Sequence, residues 1–283
     1  MTSTFAVIIA AAGRSRRFNS GSSLLTTSSQ KKPFAPLKGR AVWLYSAERF
    51  ARRKDVSQLI LVVSPEDRAD VESRFAAEIS LYGIELVDGG AERFLSVENA
   101  LKVVKSTVDF VAVHDAARPC VSDADVENVF TEASRSRAAI LASPVVGSLK
   151  RSRGGKAREK SETELVRERL GIGASSISPV SPFAGMFDDE RLVVAESTSR
   201  ENLWEAQTPQ VFARDLLERA YRERARDFAP TDDCGLVEAL GVDVSIVAGA
   251  RTNIKITTSE DLAIAEKFLE IVARRDTKSS RVF

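Results

Sequence analysis

Histidine is almost missing from this chain. Among 283 residues there is one, His114, and there are two cysteines, Cys120 and Cys234. A histidine-based triad or a multi-histidine metal centre therefore has too little material. The two cysteines fit no metal-ligand spacing and suit a reducing compartment. Neither sign of charge prevails: 41 Lys and Arg against 40 Asp and Glu leave +1. That excludes a general field for nucleic acid or membrane, so any attraction for an anion must be local. No apolar run approaches the roughly 20 residues of a membrane span. The N-terminus has no signal or transit character, and a cytoplasmic protein is expected. Two phosphate-binding fingerprints are absent as well. After Gly13 come Arg14, Ser15 and Arg16 instead of G-x-G-x-x-G, and no Gly-Lys-Ser/Thr follows. Dehydrogenase and P-loop readings are weakened accordingly.

What is present begins with Phe5-Ala-Val-Ile-Ile-Ala-Ala-Ala-Gly13, an apolar run that ends in small residues. Such a run, bounded by a turn signal, reads as a buried parallel strand. Further strands are expected at Gln58–Ser64, Ile84–Val87, Asp109–His114, Ala138–Val145, Val242–Val247 and Asn253–Ile256. Helices are expected at Ala41–Arg53, Pro65–Ser80 and Arg93–Val104, and from a cap at Ser122 to about Ser136. Three more follow: Arg214–Arg226, a helix capped by Thr231 and running from Asp232 to Leu240, and Ser259–Arg274. The alternation implies βαβ units and a mostly parallel sheet flanked by helices. Right-handed crossovers would gather the loops Ala11–Arg17, Gly89–Ser96 and Asp115–Pro119 along one edge.

Two stretches break the pattern. Asn19–Gln30 is rich in Ser and Thr and reads as a loop, and the prolines of Lys31–Gly39 argue for an extended segment. Lys150–Ser199 is first charged, then rich in Ser and Pro, and reads as a protruding arm or inserted subdomain in which Val193-Val194 starts a strand. The expected organisation is one domain over 1–283, with 147–200 as an arm and 275–283 as a frayed polar tail.

Chemistry-bearing residues converge on the loop edge. The Ala-Ala-Ala-Gly turn, with free N–H groups and Arg14, Arg16 and Arg17 beside it, makes a place for a polyphosphate. Lys32 and Lys255 sit where a flexible ammonium can reach a phosphate as a point charge; the spacing to Phe34 favours Lys32 over Lys31. Asp115 directly follows a strand, where a carboxylate could hold Mg²⁺ bound mainly by phosphates. His114, at a strand end, reads as a structural hydrogen-bonding residue and not as a base.

Seven strings occur in order: Ala10-Ala-Ala-Gly13 with Arg17, Lys32/Phe34, Gly89-Gly-Ala-Glu-Arg93 with Ser96-Val97, Val113-His-Asp-Ala-Ala-Arg-Pro119, Trp204-Glu-Ala-Gln-Thr-Pro-Gln210, Thr231-Asp-Asp233 and Asn253-Ile-Lys-Ile-Thr257. Together they resemble the 2-C-methyl-D-erythritol 4-phosphate cytidylyltransferases of the non-mevalonate isoprenoid pathway. The resemblance covers nearly all of Ala6–Leu269 apart from the two polar stretches. It implies a Rossmann-like nucleotidyltransferase fold with a β-arm, a homodimer, and transfer of CMP from CTP to methylerythritol phosphate with Mg²⁺ and release of pyrophosphate. By resemblance, Arg17 and Lys32 would stabilise the phosphorus centre in flight, while Lys255 and Arg200 would position the acceptor. Asp115, Arg118, Ser148, Thr208 and Thr231 would line the acceptor pocket. Ala10, Ala11, Ala12, Gly13, Gly90, Ser96 and Ala116 would receive CTP. The acceptor's own phosphate attacks in such a reaction, so positioning and charge neutralisation suffice.

The chain departs from the pattern at Ser15, in place of a second glycine, at Ala91, where an acidic residue is usual, and at Ser148, in place of threonine. The loop between Arg17 and Lys32 and the arm between Lys150 and Arg200 are longer than usual. Ribitol-5-phosphate cytidylyltransferase shares the scaffold, although Ala117 leans towards the isoprenoid enzyme. A non-catalytic nucleotide-binding protein on the same fold is a third reading.

Overall fold

The computed structural model describes residues 3–13, 31–154, 192–225 and 228–279. Arg17, and with it the whole stretch from Arg14 to Gln30, lies outside them, as do residues 155–191 of the expected arm. The chain divides into two compact units, residues 1–143 with 204–283, and residues 144–203.

In the first unit, continuous apolar runs become the buried middle of a sheet. β1 (Phe5–Ala10), β4 (Val56–Val63) and β6 (Phe110–Asp115) are almost wholly buried, as expected of strands covered on both faces. β1 pairs in parallel with both β4 and β6, and β4 pairs in parallel with β5 (Ile84–Asp88). The full order is β11-β7-β10-β6-β1-β4-β5, with β7 at Ala138–Pro144, β10 at Trp204–Ala213 and β11 at Ser245–Ala248. β11 runs parallel to β7, whereas β10 runs antiparallel to β6. The sheet is thus mostly parallel, and the C-terminal ends of β1, β4, β5 and β6 share one edge.

Helices α1 (Val42–Ala51), α4 (Arg93–Leu101), α5 (Asp123–Ser136), α6 (Arg214–Arg222), α7 (Asp233–Glu238) and α8 (Glu260–Ser279) belong to the same unit. Trp43, Phe50, Phe130 and Phe212 fill its core and are fully or almost fully buried. Ser122 caps α5 through a capping box: its hydroxyl accepts from Asp125 N–H, and the Asp125 carboxylate accepts from Ser122 N–H.

Local expectations change at several places, among them the stretch Trp204–Ala213, which is a strand where the sequence pattern predicts none. The helix expected at Pro65–Ser80 is two helices, α2 (Arg68–Arg74) and α3 (Ala76–Leu81), separated at Phe75. Phe75 leaves helical geometry while its ring packs edge-on against Trp43 at 5.4 Å, so core packing outweighs helical continuity there. Lys31–Gly39 is not simply extended: it forms a 3-10 turn at Lys32–Phe34, and β2 (Pro36–Leu37) pairs with β3 (Arg40–Ala41). Asp232 caps α7, not Thr231; its carboxylate accepts from Gly235 N–H. Asn253–Ile256 is irregular instead of a strand, because its polar groups bond to side chains and loops. The closing helix continues past Arg274 to Ser279.

The second unit holds an antiparallel pair, β8 (Leu149–Gly154) and β9 (Leu192–Thr198), with a bulge between Arg151 and Ser152. Arg151 and Glu196 form an ion pair of 2.6 Å across it. Ser148 and Arg200 belong to this unit; the Arg200 guanidinium donates to the carbonyl of Val146. No helix among the described residues is long and apolar enough to cross a membrane.

Candidate active site

A pocket of about 700 Å³ opens where β1, β4, β5 and β6 end, a size suited to a small-molecule ligand. Ala10, Ala12 and Gly13 form one wall and Gly89 and Gly90 another. These loops approach too closely for larger residues. A Cβ on Gly89 would lie 2.4 Å from Ala12 Cβ, and one on Gly90 would lie 2.5 Å from Leu95 Cβ. Ser96 fixes this edge: its hydroxyl accepts from Gly90 N–H at 3.0 Å and donates to the Glu92 carbonyl at 3.1 Å. The slot between these loops is bounded by backbone and small side chains, which let a ligand approach the main chain closely.

Cations ring the same opening. Lys31, Lys32, Arg93 and Lys255 all line the pocket. Asp115 lies among them at the end of β6. Its carboxylate is 2.8 Å from Lys255 Nζ, 3.4 Å from Arg93 Nε and 3.6 Å from Arg118 Nε. Burial opposes ionisation of Asp115, but these charges outweigh it and hold the carboxyl well below the usual carboxylate range. Lys255 is brought there by the bond from Ile256 N–H to the Ala117 carbonyl, 2.8 Å.

Arg93, at the start of α4, stands out in the sequence only as part of a motif, yet it joins two parts of the unit. Its guanidinium pairs with Asp233 at 2.8 Å, and Asp233 also accepts from the Tyr221 hydroxyl at 2.6 Å. Burial disfavours the Arg93 charge, but Asp233 and Asp115 more than compensate and raise its pKa.

Several residues expected to touch ligand are occupied internally. The Thr208 hydroxyl, 4% exposed, accepts from Asp115 N–H at 3.0 Å and meets His114 Nδ1 at 3.1 Å. Arg118 donates to the carbonyls of Asn253, 2.7 Å, and Ala206, 3.4 Å. Neither is among the lining residues: the Thr208 hydroxyl and the two terminal nitrogens of Arg118 are engaged within the protein, in support of the lining. Ala11 and Ala116 are fully buried in the core, and Ala117 is the alanine after β6 that reaches the pocket. Thr231 is exposed ahead of α7 and is not among the lining residues.

The Ala-Gln-Thr-Pro-Gln string has the same supporting character. Gln207 donates to the Ala250 carbonyl and accepts from Asn253, and Asn253 also donates to the Thr208 carbonyl. Gln210 accepts from Asp233 N–H and Cys234 N–H and donates to Asp232. These amides tie β10 to the loop carrying Lys255 and to the start of α7.

His114 is wholly buried between Ser46 Oγ, the Arg118 carbonyl and Thr208 Oγ1. The Arg118 carbonyl can only accept, so Nε2 carries the ring proton and donates to it, and Nδ1 accepts from the Thr208 hydroxyl. Burial above all pushes the imidazole pKa down to about 4. The ring is therefore neutral at pH 7, and neither nitrogen faces the pocket as a free base. A pH dependence follows. Below the ordinary value of 6.5, unfolded chains bind a proton that the native ring refuses down to about 4. The stability from this group is complete above pH 6.5 and is lost as pH falls from 6.5 to 4, about 3 kcal/mol in all. Urea midpoints compared at pH 7 and pH 5 should show the loss, and His114→Gln should show a shallower one. Equal losses in the two proteins would exclude His114 as its source.

No nucleophile stands ready among the described lining residues. The Ser96 hydroxyl is engaged as above, and Ser64 donates to Asp67 at 2.7 Å while accepting from Lys31 at 2.8 Å. The arrangement suits a reaction whose nucleophile arrives with the substrate, with the protein supplying a slot and fixed positive charge.

Comparison with known proteins gives a consistent result. The family model described as IspD, 2-C-methyl-D-erythritol 4-phosphate cytidylyltransferase, matches residues 5–167 and 164–271. The chain is 38% identical over 275 residues to the protein of that name from Rhodopirellula baltica, covering 93% of each. It is 34% identical to that from Solibacter usitatus, covering 97% of this chain and 99% of the relative. The crystal structure of the Thermus thermophilus enzyme of the same name superposes with a TM-score of 0.64 at 26% identity, covering 95% of this chain and 99% of that one.

Proposed function

The chain belongs to the 2-C-methyl-D-erythritol 4-phosphate cytidylyltransferase family, and from this premise we propose how its pocket carries out cytidylyl transfer. CTP enters the slot between Ala12–Gly13 and Gly89–Gly90, and methylerythritol phosphate lies towards Asp115 and Lys255. A phosphate oxygen of the acceptor attacks the α-phosphorus of CTP. A new P–O bond forms, the bond to the bridging oxygen breaks, and pyrophosphate leaves. The product is 4-diphosphocytidyl-2-C-methyl-D-erythritol, an intermediate of isoprenoid synthesis. One observation carries this reading: two glycine-edged loops, Lys32, Asp115 and Lys255 meet in a single pocket at the sheet edge.

The roles divide by chemistry. Lys32 supplies a mobile positive charge to the phosphoryl group in flight, and Arg17 is assigned to the same task from its place in the motif. Lys255, held by Asp115, presents a fixed ammonium to the acceptor phosphate. Among the described residues, no protein donor set for Mg²⁺ lies in the pocket. Asp115 already faces three cationic groups, which oppose a divalent ion beside it, and no cluster of three His, Cys, Asp or Glu suited to a metal occurs among the described residues. The ion would arrive bound to the triphosphate.

The β8–β9 unit is assigned as a dimerisation arm that carries Ser148 and Arg200 to a second copy. Val146, Leu192, Val194 and Leu203 are exposed on it, and apolar exposure of that kind favours a protein partner. The buried free thiols of Cys120 and Cys234 support a reducing, cytoplasmic setting.

Pyrophosphate release from CTP decides the matter when assayed in Mg²⁺ with methylerythritol phosphate, ribitol 5-phosphate, or neither. Release is expected with the first alone. Release only with ribitol phosphate reassigns the acceptor, and none with either refutes the transferase reading.

A further inference from the structure

Lys31 stands directly before the lysine assigned to the phosphoryl group, and its surroundings differ from those of an ordinary surface lysine. Its ammonium lies 2.6 Å from the Asp67 carboxylate and 2.8 Å from Ser64 Oγ. Ser64 donates to the same Asp67 oxygen at 2.7 Å, so the three side chains close a triangle at the end of β4. Lys31 and Asp67 have only about a quarter of their side chains exposed, which reduces solvent screening relative to an open surface pair.

Asp67 gives an independent sign that this contact is built. It occupies the N-cap of α2, where an aspartate ordinarily accepts a bond from the first turn. It makes no such side-chain bond. Its carboxylate is turned to Lys31 and Ser64, and the helix start forgoes its cap.

The contact lies at one end of the segment that carries Lys32. At the other end Phe34 is buried, with its ring centroid 6.2 Å from that of Phe75. Between the two, the Lys31 carbonyl accepts from Phe34 N–H at 3.0 Å and the Lys32 carbonyl from Ala35 N–H at 3.2 Å. Pro33 restricts the backbone of the same turn. Both anchors reach residues of the chain between β4 and β5: Asp67 at the start of α2 and Phe75 at its end. Lys32 is thus held in a short turn pinned on both sides to one part of the fold.

We propose that Lys31, through Asp67 and Ser64, is a positioning residue that sets the place of Lys32 at the pocket. This rests on the assignment of Lys32 to the transferred phosphoryl group. Lys31 lines the pocket, but its ammonium is taken up by Asp67 and Ser64; the contact fixes where the turn begins, just after the stretch that follows Gly13. A displacement of the order of 1 Å in a charged group is enough to slow phosphoryl transfer strongly.

The test uses the full chain with Lys31→Met, Lys31→Arg, Asp67→Asn and the double variant Lys31→Met/Asp67→Asn. Lys31→Met and Asp67→Asn should each lower kcat about tenfold while leaving KM for the acceptor near the wild-type value. Lys31→Arg should recover most of kcat, and the double variant should be no slower than either single one, since both break the same contact. Hydrogen exchange supplies a readout independent of turnover: the Phe34 and Ala35 amides should exchange faster in Lys31→Met and Asp67→Asn, with melting temperatures unchanged. Wild-type kcat with wild-type exchange in Lys31→Met overturns the proposal, as do additive losses in the double variant. If the wild-type protein releases no pyrophosphate at all, the transferase reading fails on its own, and unchanged Phe34 and Ala35 exchange still overturns the anchoring.

Discussion

Lys32→Ala should lower kcat by about 10²-fold or more, with a far smaller change in KM for CTP. The reasoning starts from what the residue contributes to each state. On the proposed reading the triphosphate is bound in the ground state by the slot and by several cations, so losing one ammonium should weaken it modestly. In the transition state, charge concentrates on the phosphoryl group in flight, and a positive charge at that point matters most. The turn at Lys32–Phe34 is itself held by Pro33, the buried Phe34 ring and the bond from Phe34 N–H to the Lys31 carbonyl, so its backbone should keep its place in the variant. Steady-state kinetics at a temperature where the variant is folded measure the effect. A fall confined to KM would assign Lys32 to ground-state binding and remove it from the chemical step. Lys32→Arg should recover only part of the rate, because a planar guanidinium does not reproduce a compact ammonium.

How far the sequence foretells this site depends on the kind of contact. β1, β4, β6 and β7 are legible because each is a continuous apolar run, and burial on both faces demands that composition. The glycine walls are legible for a related reason: only Gly fits where the loop of Gly89 meets Ala12. β10 is harder to see. Its Gln207, Thr208 and Gln210 are polar yet buried, and their partners lie in loops around Asn253 and Asp232. Polar residues whose bonds are satisfied far away in sequence look like loop residues until the fold is known. Thr208 and Arg118 illustrate the consequence. Both sit in strings that mark the site, and both serve it from below, through Asp115 and Asn253. Arg93 is the reverse case. Its partners Asp115 and Asp233 are 22 and 140 positions away, and no periodicity signals a charge pair of that kind.

That pairing makes Arg93 the residue whose loss should most damage the fold near the site. Arg93→Leu leaves Asp233, which has no solvent exposure, with the Tyr221 hydroxyl as its remaining side-chain partner. Removing one member of a buried ion pair costs about 3–5 kcal/mol because the other charge stays behind uncompensated. Arg93 itself keeps 28% of its side chain exposed, and water entering through that opening places the expected cost at the lower end, about 3 kcal/mol. The melting temperature should fall by roughly 10 °C. A compensating change identifies the mechanism. Asp233→Asn removes the orphaned charge while retaining an acceptor for the Tyr221 hydroxyl, so Arg93→Leu/Asp233→Asn should be more stable than Arg93→Leu alone. Loss of packing around the Arg93 stem would not be relieved in this way. Activity adds a separate readout. Asp115 keeps Lys255 and Arg118 after the change, so its carboxylate stays ionised and Lys255 stays anchored. Turnover at a temperature where the variant is folded should therefore fall less than in Lys32→Ala. A wild-type melting temperature for Arg93→Leu, or a double variant no more stable than the single, would show that the Asp233 charge is compensated by something other than Arg93.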